Sequence, residues 1–503
     1  MKPTVMSRVQ EPSVTLDTTY AELYAGGEPA NKCPVPLYLM PNSEVDLSQR
    51  IRRAKKYIYH DTSINSEATE AELERYRDVA RAKYLGFVSQ HLAFVAGAMP
   101  VYQFFHPGTT EGNIPHTERV LSILAPHQQP RVRYVAGPLD VVMGPDEILA
   151  VGMPTDDLEH LPHLIDPETH YELLSKRGLA LSGLRTPRAT LLDLDMTHER
   201  WRFHSRPNAL GVSDEVEAIG RMTRKRLVAS DIADLPAGHT DLATYIREHP
   251  LPFVIKLQQS VSGHGTWLVT TEEQREQVAH DIPRISTHFI AKIEEYGAKL
   301  RSCSLIITEY IPDVVIAPVI IMFVQHGGNP VFLGCTDQNI VDGRWSGSSI
   351  DYRKQSALAK RLEGTINSIA EFLWSRGYYG PAGADILEDQ EGTQWIVDLN
   401  VRTSGSVILT LLQGHFYKQR GLPLARLLPS LHPKVDRDAL TQLLRNDVEA
   451  GTVLIVGWLE NDLGRADRFA NIVVAAEDHD ALDQLTTRVK NACLASARQP
   501  DAP

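Results

Sequence analysis

The period of hydrophobic and polar positions changes several times along the chain. From residue 253 to about 400, short apolar runs dominate: FVIK, TWLVT, LIITEYI, VIIMFV, PVFLG and DILEDQEGTQWIVDLN, interrupted by one helical stretch from Gln355 to Arg376. Short runs rich in β-branched and aromatic residues, bounded by Gly, Pro, Asn and Asp, predict strands. Upstream, from Val35 to about Ile165, helical stretches alternate with strand candidates. Glu67 to Met99 is rich in Ala, Leu, Glu and Arg and predicts helix. RVRYVAG (Arg131 to Gly137) and LDVVMG (Leu139 to Gly144) predict short buried strands ended by glycine. This alternation predicts an α/β domain.

Asp166-Pro167-Glu168 has the form of a helix start, with a capping acid, a proline at the first helical position and a second acid in the first turn. That helix is predicted to run through YELLSKRGLALSG to Gly183. The stretch 195–250 is charged and predicted mostly helical. Beyond Ser404 the pattern is helical again. TVLIVGWL (Thr452 to Leu459) and IVVAA (Ile472 to Ala476) then predict strands, and a last helix is predicted from His479. Residues 1–35 and the tail RQPDAP show little periodicity.

Composition narrows the class. The chain has 503 residues, too many for one simple core, so two to four domains or subdomains are expected. Apolar content of 43% and charged content of 23% fit a soluble globular protein. A net charge of −12 argues against a nucleic-acid binder, whose footprint is basic. The one basic cluster, RMTRKR at 221–226, reads as a solvated helix face. Cys33, Cys303, Cys335 and Cys493 form no C-x-x-C pair, which fits a reducing compartment. The stretch MKPTVMSRVQEPSV lacks a secretory apolar region, and the greasiest run, Val314 to Val324, is short and holds Pro318. A cytoplasmic protein with no membrane segment is therefore expected.

The chemistry enters with the last strand pair. If the loop EDQEGT centres on Glu391-Gly392, an antiparallel hairpin sets Asp385 opposite Asp398. Asn400 and Arg402 follow at two-residue steps, so they extend the same face. Opposed carboxylates repel unless one is protonated or a cation lies between them. Two carboxylates and a carboxamide oxygen suit Mg²⁺, which keeps waters or phosphate oxygens for its other positions. Taken alone, the same row reads equally as a solvated hairpin face.

Three companions stand upstream. Lys256 ends the strand candidate FVIK and precedes a loop with Gly263 and Gly265. Glycines admit phosphates to backbone N–H groups, and a lysine neutralises them. The loop is not a Walker sequence. Glu309 and Tyr310 end LIITEYI, where a carboxylate can hold a base edge or simply cap the strand. TDQNIVDGRWSGSSIDY (Thr336 to Tyr352) reads as a polar, glycine-rich loop, with Asp337, Gln338, Arg344 and Ser348 as candidate substrate contacts. His160 and His163 form an H-x-x-H with Pro162 between them and no third ligand near, so zinc is not expected. No G-x-S-x-G occurs.

In order, Lys176, Lys256, the glycine loop, Glu309-Tyr310-Ile311, Asp385, Asp398, Asn400 and Arg402 form a series that resembles the ATP-grasp superfamily over about residues 166–415. The D…(D/E)-x-N-x-R end is its most specific part. The resemblance implies α+β lobes closing on ATP, after an α/β pre-ATP-grasp domain at 1–165. The ATP-grasp domain would span 166–435, with a lid lobe at about 185–310 and a metal-binding lobe at about 311–435. Residues 436–503 would complete that lobe or cap it. Asp385, Asp398 and Asn400 would hold Mg²⁺, and Lys176 and Lys256 would contact phosphates. Ser262, Gly263, His264, Gly265 and Thr266 would form the closing loop. Glu309, Tyr310 and Ile311 would form the adenine hinge, Asp313 would contact ribose, and Arg402 would steady the transferred group. The implied activity is ADP-forming amide ligation. A small acid is activated as an acyl phosphate and coupled to an amine, of the amino-acid-conjugating kind found in specialised metabolism. The implied partners are small molecules, with a homodimer compatible. Another ATP-dependent carboxylate chemistry, or nucleotide binding without turnover, are the alternatives.

Overall fold

A computed structural model describes residues 9–43, 46–53, 55–59, 69–104, 113–195, 200–205, 233–234, 242–260, 265–290, 300–341, 344–461 and 467–495. The fold is mixed α/β, and its strands assemble into three sheets. The first is all-parallel: β1 (Cys33–Leu37), β2 (Pro100–Phe104), β3 (Arg131–Val135) and β4 (Glu147–Val151), in the order β3-β2-β1-β4. Parallel neighbours need crossover connections, and helices Glu70–Arg81, Val88–Ala93 and Ile114–Leu121 lie in them. Of the helix predicted over 67–99, Glu70–Arg81, a π-helical stretch at Ala82–Phe87 and Val88–Ala93 are helical, and the chain leaves the helix from Phe94 on. LDVVMG is not a strand. Pro138, which has no N–H to give a ladder, starts a single 3₁₀ turn at Pro138–Asp140, and Leu139 and Val142 stand exposed.

The second sheet is antiparallel and joins β5 (Ala189–Asp195), β6 (Arg200–Ser205), β7 (Ala233–Asp234), β8 (Phe253–Leu257), β9 (Thr266–Val269) and β10 (Leu305–Glu309), in the order β7-β6-β5-β10-β8-β9. In the described part of 195–250, predicted mostly helical, strands stand beside one helix. Arg200–Ser205 is paired in register with β5, and the helix described there is Leu242–Glu248. The cluster at 221–226 lies outside the described residues.

The third sheet contains β11 (Val314–Ile316), β12 (Val319–Val324), β13 (Pro330–Val341), β14 (Arg344–Asp351), β15 (Gly380–Asp389), β16 (Gln394–Asn400), β17 (Leu424–Leu431), β18 (Val453–Asn461) and β19 (Asp467–Ala476). It runs β11-β15-β12-β13-β14-β17-β19-β18, with β16 on the other side of β15. The greasy run at 314–324 is broken at Ala317-Pro318 into two strands that share one side of β15. The stretch expected as a polar loop, Thr336 to Tyr352, is mostly a long β-hairpin, β13–β14.

The largest apolar core links the N-terminal segment to the third sheet, from Val14 and Tyr20 through Phe94 to Phe323, Trp458 and Val473. A second joins Tyr57 and Tyr171 to Ile320, Ile369 and Leu399. The second sheet has its own core around Leu192, Ile246, Ile255, Ile282 and Ile307. The candidate site lies where these bodies meet.

The helix predicted from Pro167 to Gly183 is two helices, Pro167–Leu173 and Lys176–Ala180. Ser175 caps the second by accepting from Gly178 N–H at 2.7 Å. A Cβ at Gly178 would lie 2.1 Å from the Glu172 carbonyl oxygen, so the break admits only glycine there. Its effect is to put Lys176 at the first position of a new helix. All four cysteines are free thiols. No helix among the described residues is long and apolar enough to cross a membrane.

Candidate functional site

The hairpin β15–β16 sets Asp385 directly opposite Asp398. The expected pairing is found by a different route. The turn centres on Glu391, where Asp389 N–H donates to Thr393 O at 3.1 Å. That register alone would bring Val397 opposite Asp385. A bulge between Ile386 and Asp385 leaves Val397 unpaired and moves Asp398 into place. The bulge also frees the Val397 carbonyl from the ladder, and Lys256 Nζ donates to it at 2.6 Å.

Positive groups converge on the pair. Lys176 Nζ lies 2.7 Å from Asp398 Oδ1. Its backbone N–H donates to Gln258 O at 2.9 Å, tying the helix start to the chain that follows β8. Next to it, Arg177 binds both oxygens of buried Asp193 on β5, at 3.1 and 3.0 Å. Arg402 donates to Asn400 Oδ1 at 3.0 Å and to Thr403 O at 3.2 Å. Gln338, from the β13–β14 hairpin, donates to Asp385 Oδ2 at 2.9 Å. Asp385 Oδ1 is buried and has no hydrogen-bond partner among the described residues.

The electrostatics follow from burial and from these neighbours. Burial, and then the Asp398 charge, push the Asp385 carboxyl up to about 7. Burial also opposes ionisation of Asp398, but Lys176, Lys256 and Arg402 together hold that carboxyl below the usual range. Burial brings Lys256 down to about 8, against the pull of Asp398. It also lowers Arg402. The pair is thus half-neutralised by lysine, with one oxygen left over.

No cluster of three or more His, Cys, Asp or Glu suited to a metal occurs among the described residues. The fit to a hard cation therefore rests on Asp385, Asp398 and the Asn400 amide oxygen. With one Asp385 oxygen unpaired among the described residues, this oxygen-only donor set would suit Mg²⁺.

The other expected residues fall as follows. Glu309 ends β10, but its carboxylate accepts from Arg188 N–H at 2.9 Å and from Arg188 Nε at 2.8 Å. Tyr310 is exposed, Ile311 is buried, and Asp313 is exposed with φ of 52°. Gly265 has φ of 73°, and Thr266 pairs with Lys256 across β8–β9. Ser262, Gly263 and His264 lie outside the described residues, as does the Arg344 side chain. Asp337 is exposed on β13. Ser348 is buried and accepts from Trp345 Nε1 at 3.1 Å. Gln338, a candidate substrate contact, touches the carboxylate pair through Asp385. The Asp193 anchor and the Arg188 partner of Glu309 carry no sequence signal, because a lone Asp on a strand or Arg just before one has no local pattern.

No family model matches the chain, and no curated protein sequence matches it. Solved structures do. N5-carboxyaminoimidazole synthetase from Staphylococcus aureus, complexed with ADP, aligns at 9% identity over 78% of this chain and 97% of that one, with a TM-score of 0.42. Biotin carboxylase from Campylobacter jejuni, in a β-γ-ATP complex, aligns at 10% identity over 82% and 93%, with a TM-score of 0.42. N5-carboxyaminoimidazole ribonucleotide synthetase from Thermotoga maritima aligns at 12% identity over 78% and 91%, also at 0.42. These values are too low to assign a family.

Proposed function

We propose that this protein is an ADP-forming ligase of the ATP-grasp kind, which activates a small carboxylic acid as an acyl phosphate and couples it to an amine. One observation carries this reading. Two opposed carboxylates, one with an unpaired buried oxygen, are ringed by Lys176, Lys256 and Arg402. Phosphoryl transfer asks mainly for charge clamped in position, and this arrangement supplies both signs at close range.

Asp385, Asp398 and Asn400 would hold Mg²⁺, which supplies charge neutralisation at the phosphates. Lys176, now on Asp398, and Lys256, now on the Val397 carbonyl, would turn to phosphate oxygens. Arg402 would stabilise charge developing on the transferred group. Residues 262–266 would cover the phosphates and exclude water from the acyl phosphate. Tyr310 and Ile311 would offer backbone groups to adenine, with Glu309 at its edge and Asp313 toward ribose. The lid would span about 185–310 and the metal lobe about 311–435, after an N-terminal domain at 1–165. Residues 436–503 contribute β18 and β19 to the third sheet and would complete the metal lobe. The amine is read as an amino acid, the place of action as the cytoplasm, and the assembly as a homodimer.

The nucleotide product tests this. Purified protein is incubated with Mg²⁺, ATP and pooled amino acids and small acids, and the nucleotides are separated. Substrate-dependent ADP and phosphate are expected. AMP and pyrophosphate would mean adenylation and overturn the proposal.

A further inference from the structure

The helix Lys176–Ala180 brings Lys176 to the carboxylate pair, yet five residues are too few to hold a helix in place by themselves. Its position is imposed from outside. Ser175 caps it, and the Lys176 N–H reaches the Gln258 carbonyl, which fixes its first turn. Leu179 packs into the core that holds Ile320 and Leu399 of the third sheet. Arg177 stands two residues before Leu179, about 200° around the helix, and grips Asp193 of the second sheet. The helix is therefore held between two bodies, and the Arg177 fork is its polar tie to the second sheet. Two parallel bonds from one guanidinium to one carboxylate set an orientation as well as a distance, so the fork resists rolling of the helix.

Asp193 is itself fixed. It is 6% exposed, in a strand whose neighbours Leu191 and Leu192 are apolar core. Its Oδ1 accepts from Arg177 Nε and from the Ser304 hydroxyl, and its Oδ2 from Arg177 Nη2 and Arg301 Nη1. A carboxylate has about four acceptor sites, and these bonds fill them. Arg301 and Ser304 come from the turn before β10, where the Ser304 N–H donates to Arg301 O at 3.0 Å and Arg301 holds a φ of 52°. A non-glycine residue is strained there, so this turn is kept against a local cost. A buried acid in a strand is also costly unless it is fully bonded. Both features serve one end, a rigid acceptor facing Arg177.

We propose that Asp193 is a positioning residue: through Arg177 it fixes the roll of the helix Lys176–Ala180 and so holds the Lys176 ammonium at the Asp385–Asp398 pair. Asp193 touches neither carboxylate of that pair through any bond described above; it acts through the neighbour of the lysine. Its value for binding phosphates rests on the ligase reading above. Its effect on where Lys176 lies does not.

The test uses the full-length protein without nucleotide. Lysines are acylated with an amine reagent at one fixed pH, and mass spectrometry gives the labelling of Lys176 relative to Lys256 in the same molecules. Asp193→Asn replaces an acceptor with a donor and breaks the fork. Arg177→Met breaks it from the other side and leaves Asp193 its bonds to Arg301 and Ser304, so it decides the matter if Asp193→Asn does not fold. Each variant should raise the labelling ratio about tenfold, as for loss of a hydrogen bond to a charged group, and the double variant should raise it no further. Arg301→Met also takes a bond from Asp193 but spares the fork. It should lower the melting temperature and leave the ratio unchanged, which separates positioning from stability. An unchanged ratio in Arg177→Met, or an equal rise in Arg301→Met, would overturn the proposal. With Mg²⁺–ATP, Arg177→Met should weaken the affinity read from the melting shift about tenfold, and in a Lys176→Met background it should weaken it no further. If Mg²⁺–ATP produces no shift in the parent while the labelling ratio rises as stated, the ligase reading fails and the positioning role stands.

Discussion

The two ends of the β15–β16 hairpin treat a buried acid in opposite ways. At the turn end, Glu388 is 4% exposed and faces Gln394 across the ladder. Arg361 Nε reaches both of its oxygens at 3.0 Å, and Gln394 Nε2 donates at 3.0 Å. The Arg361 guanidinium holds that carboxyl below its ordinary range. At the other end, Asp385 faces a second acid, has one amide donor and keeps one oxygen unpaired. Its carboxyl is pushed up to about 7. The same hairpin therefore shows a charge that the fold neutralises by itself and one that it leaves for something else. An uncompensated buried charge is costly, and it persists where function requires it.

The two arginines separate these ends most sharply. Arg402→Ala should lower substrate-dependent ADP formation by roughly a hundred- to a thousandfold, with little change in melting temperature. Arg361→Ala should do the reverse, lowering the melting temperature and sparing turnover per folded molecule. Steady-state kinetics with parallel thermal melts would check both. Loss of turnover in Arg361→Ala at unchanged stability would erase the distinction.

The two glutamines make a smaller contrast. Gln338→Leu removes the amide that donates to Asp385 Oδ2. Second-layer changes of this kind weaken metal binding about 10- to 100-fold. Gln394→Leu should leave Mg²⁺ binding alone. Titrating Mg²⁺ against the ATP-induced melting shift would read out each variant.

A third contrast is in pH. With its native carboxyl near 7 against an ordinary 3.8, Asp385 keeps its proton in the folded state over a range where the unfolded chain has lost it. The native state then binds more protons, so stability falls as pH rises from about 4 to about 7. Asp385→Asn should flatten this slope in metal-free protein. Denaturant melts across that range, with a chelator present, would show it; an unchanged slope would place the titration elsewhere.

The two lysines illustrate how much could be read beforehand. Lys256 was placed by its own strand, since FVIK patterns as β8 without reference to anything distant. Lys176 was read inside one long helix, and its position depends on a break that Gly178 permits and on the Gln258 carbonyl. The apolar pattern continues through the break, so period alone passes over it. The pattern also hides the β13–β14 hairpin, for a related reason. Polar and glycine residues suggest turns, but pairing with β12 and β17 holds them extended.

By itself, the sequence determined what is local. It specified the strands and turn that bring Asp385 and Asp398 to one hairpin, the two-residue steps to Asn400 and Arg402, and the α/β alternation of the first sheet. Those follow from side-chain period and turn chemistry, which act over a few residues. Only the tertiary structure decided the Val397 bulge, the approach of Lys176 to Asp398 and the reach of Gln338 to Asp385. Each joins positions far apart in sequence, and such contacts are set by how whole sheets pack, which no local pattern records.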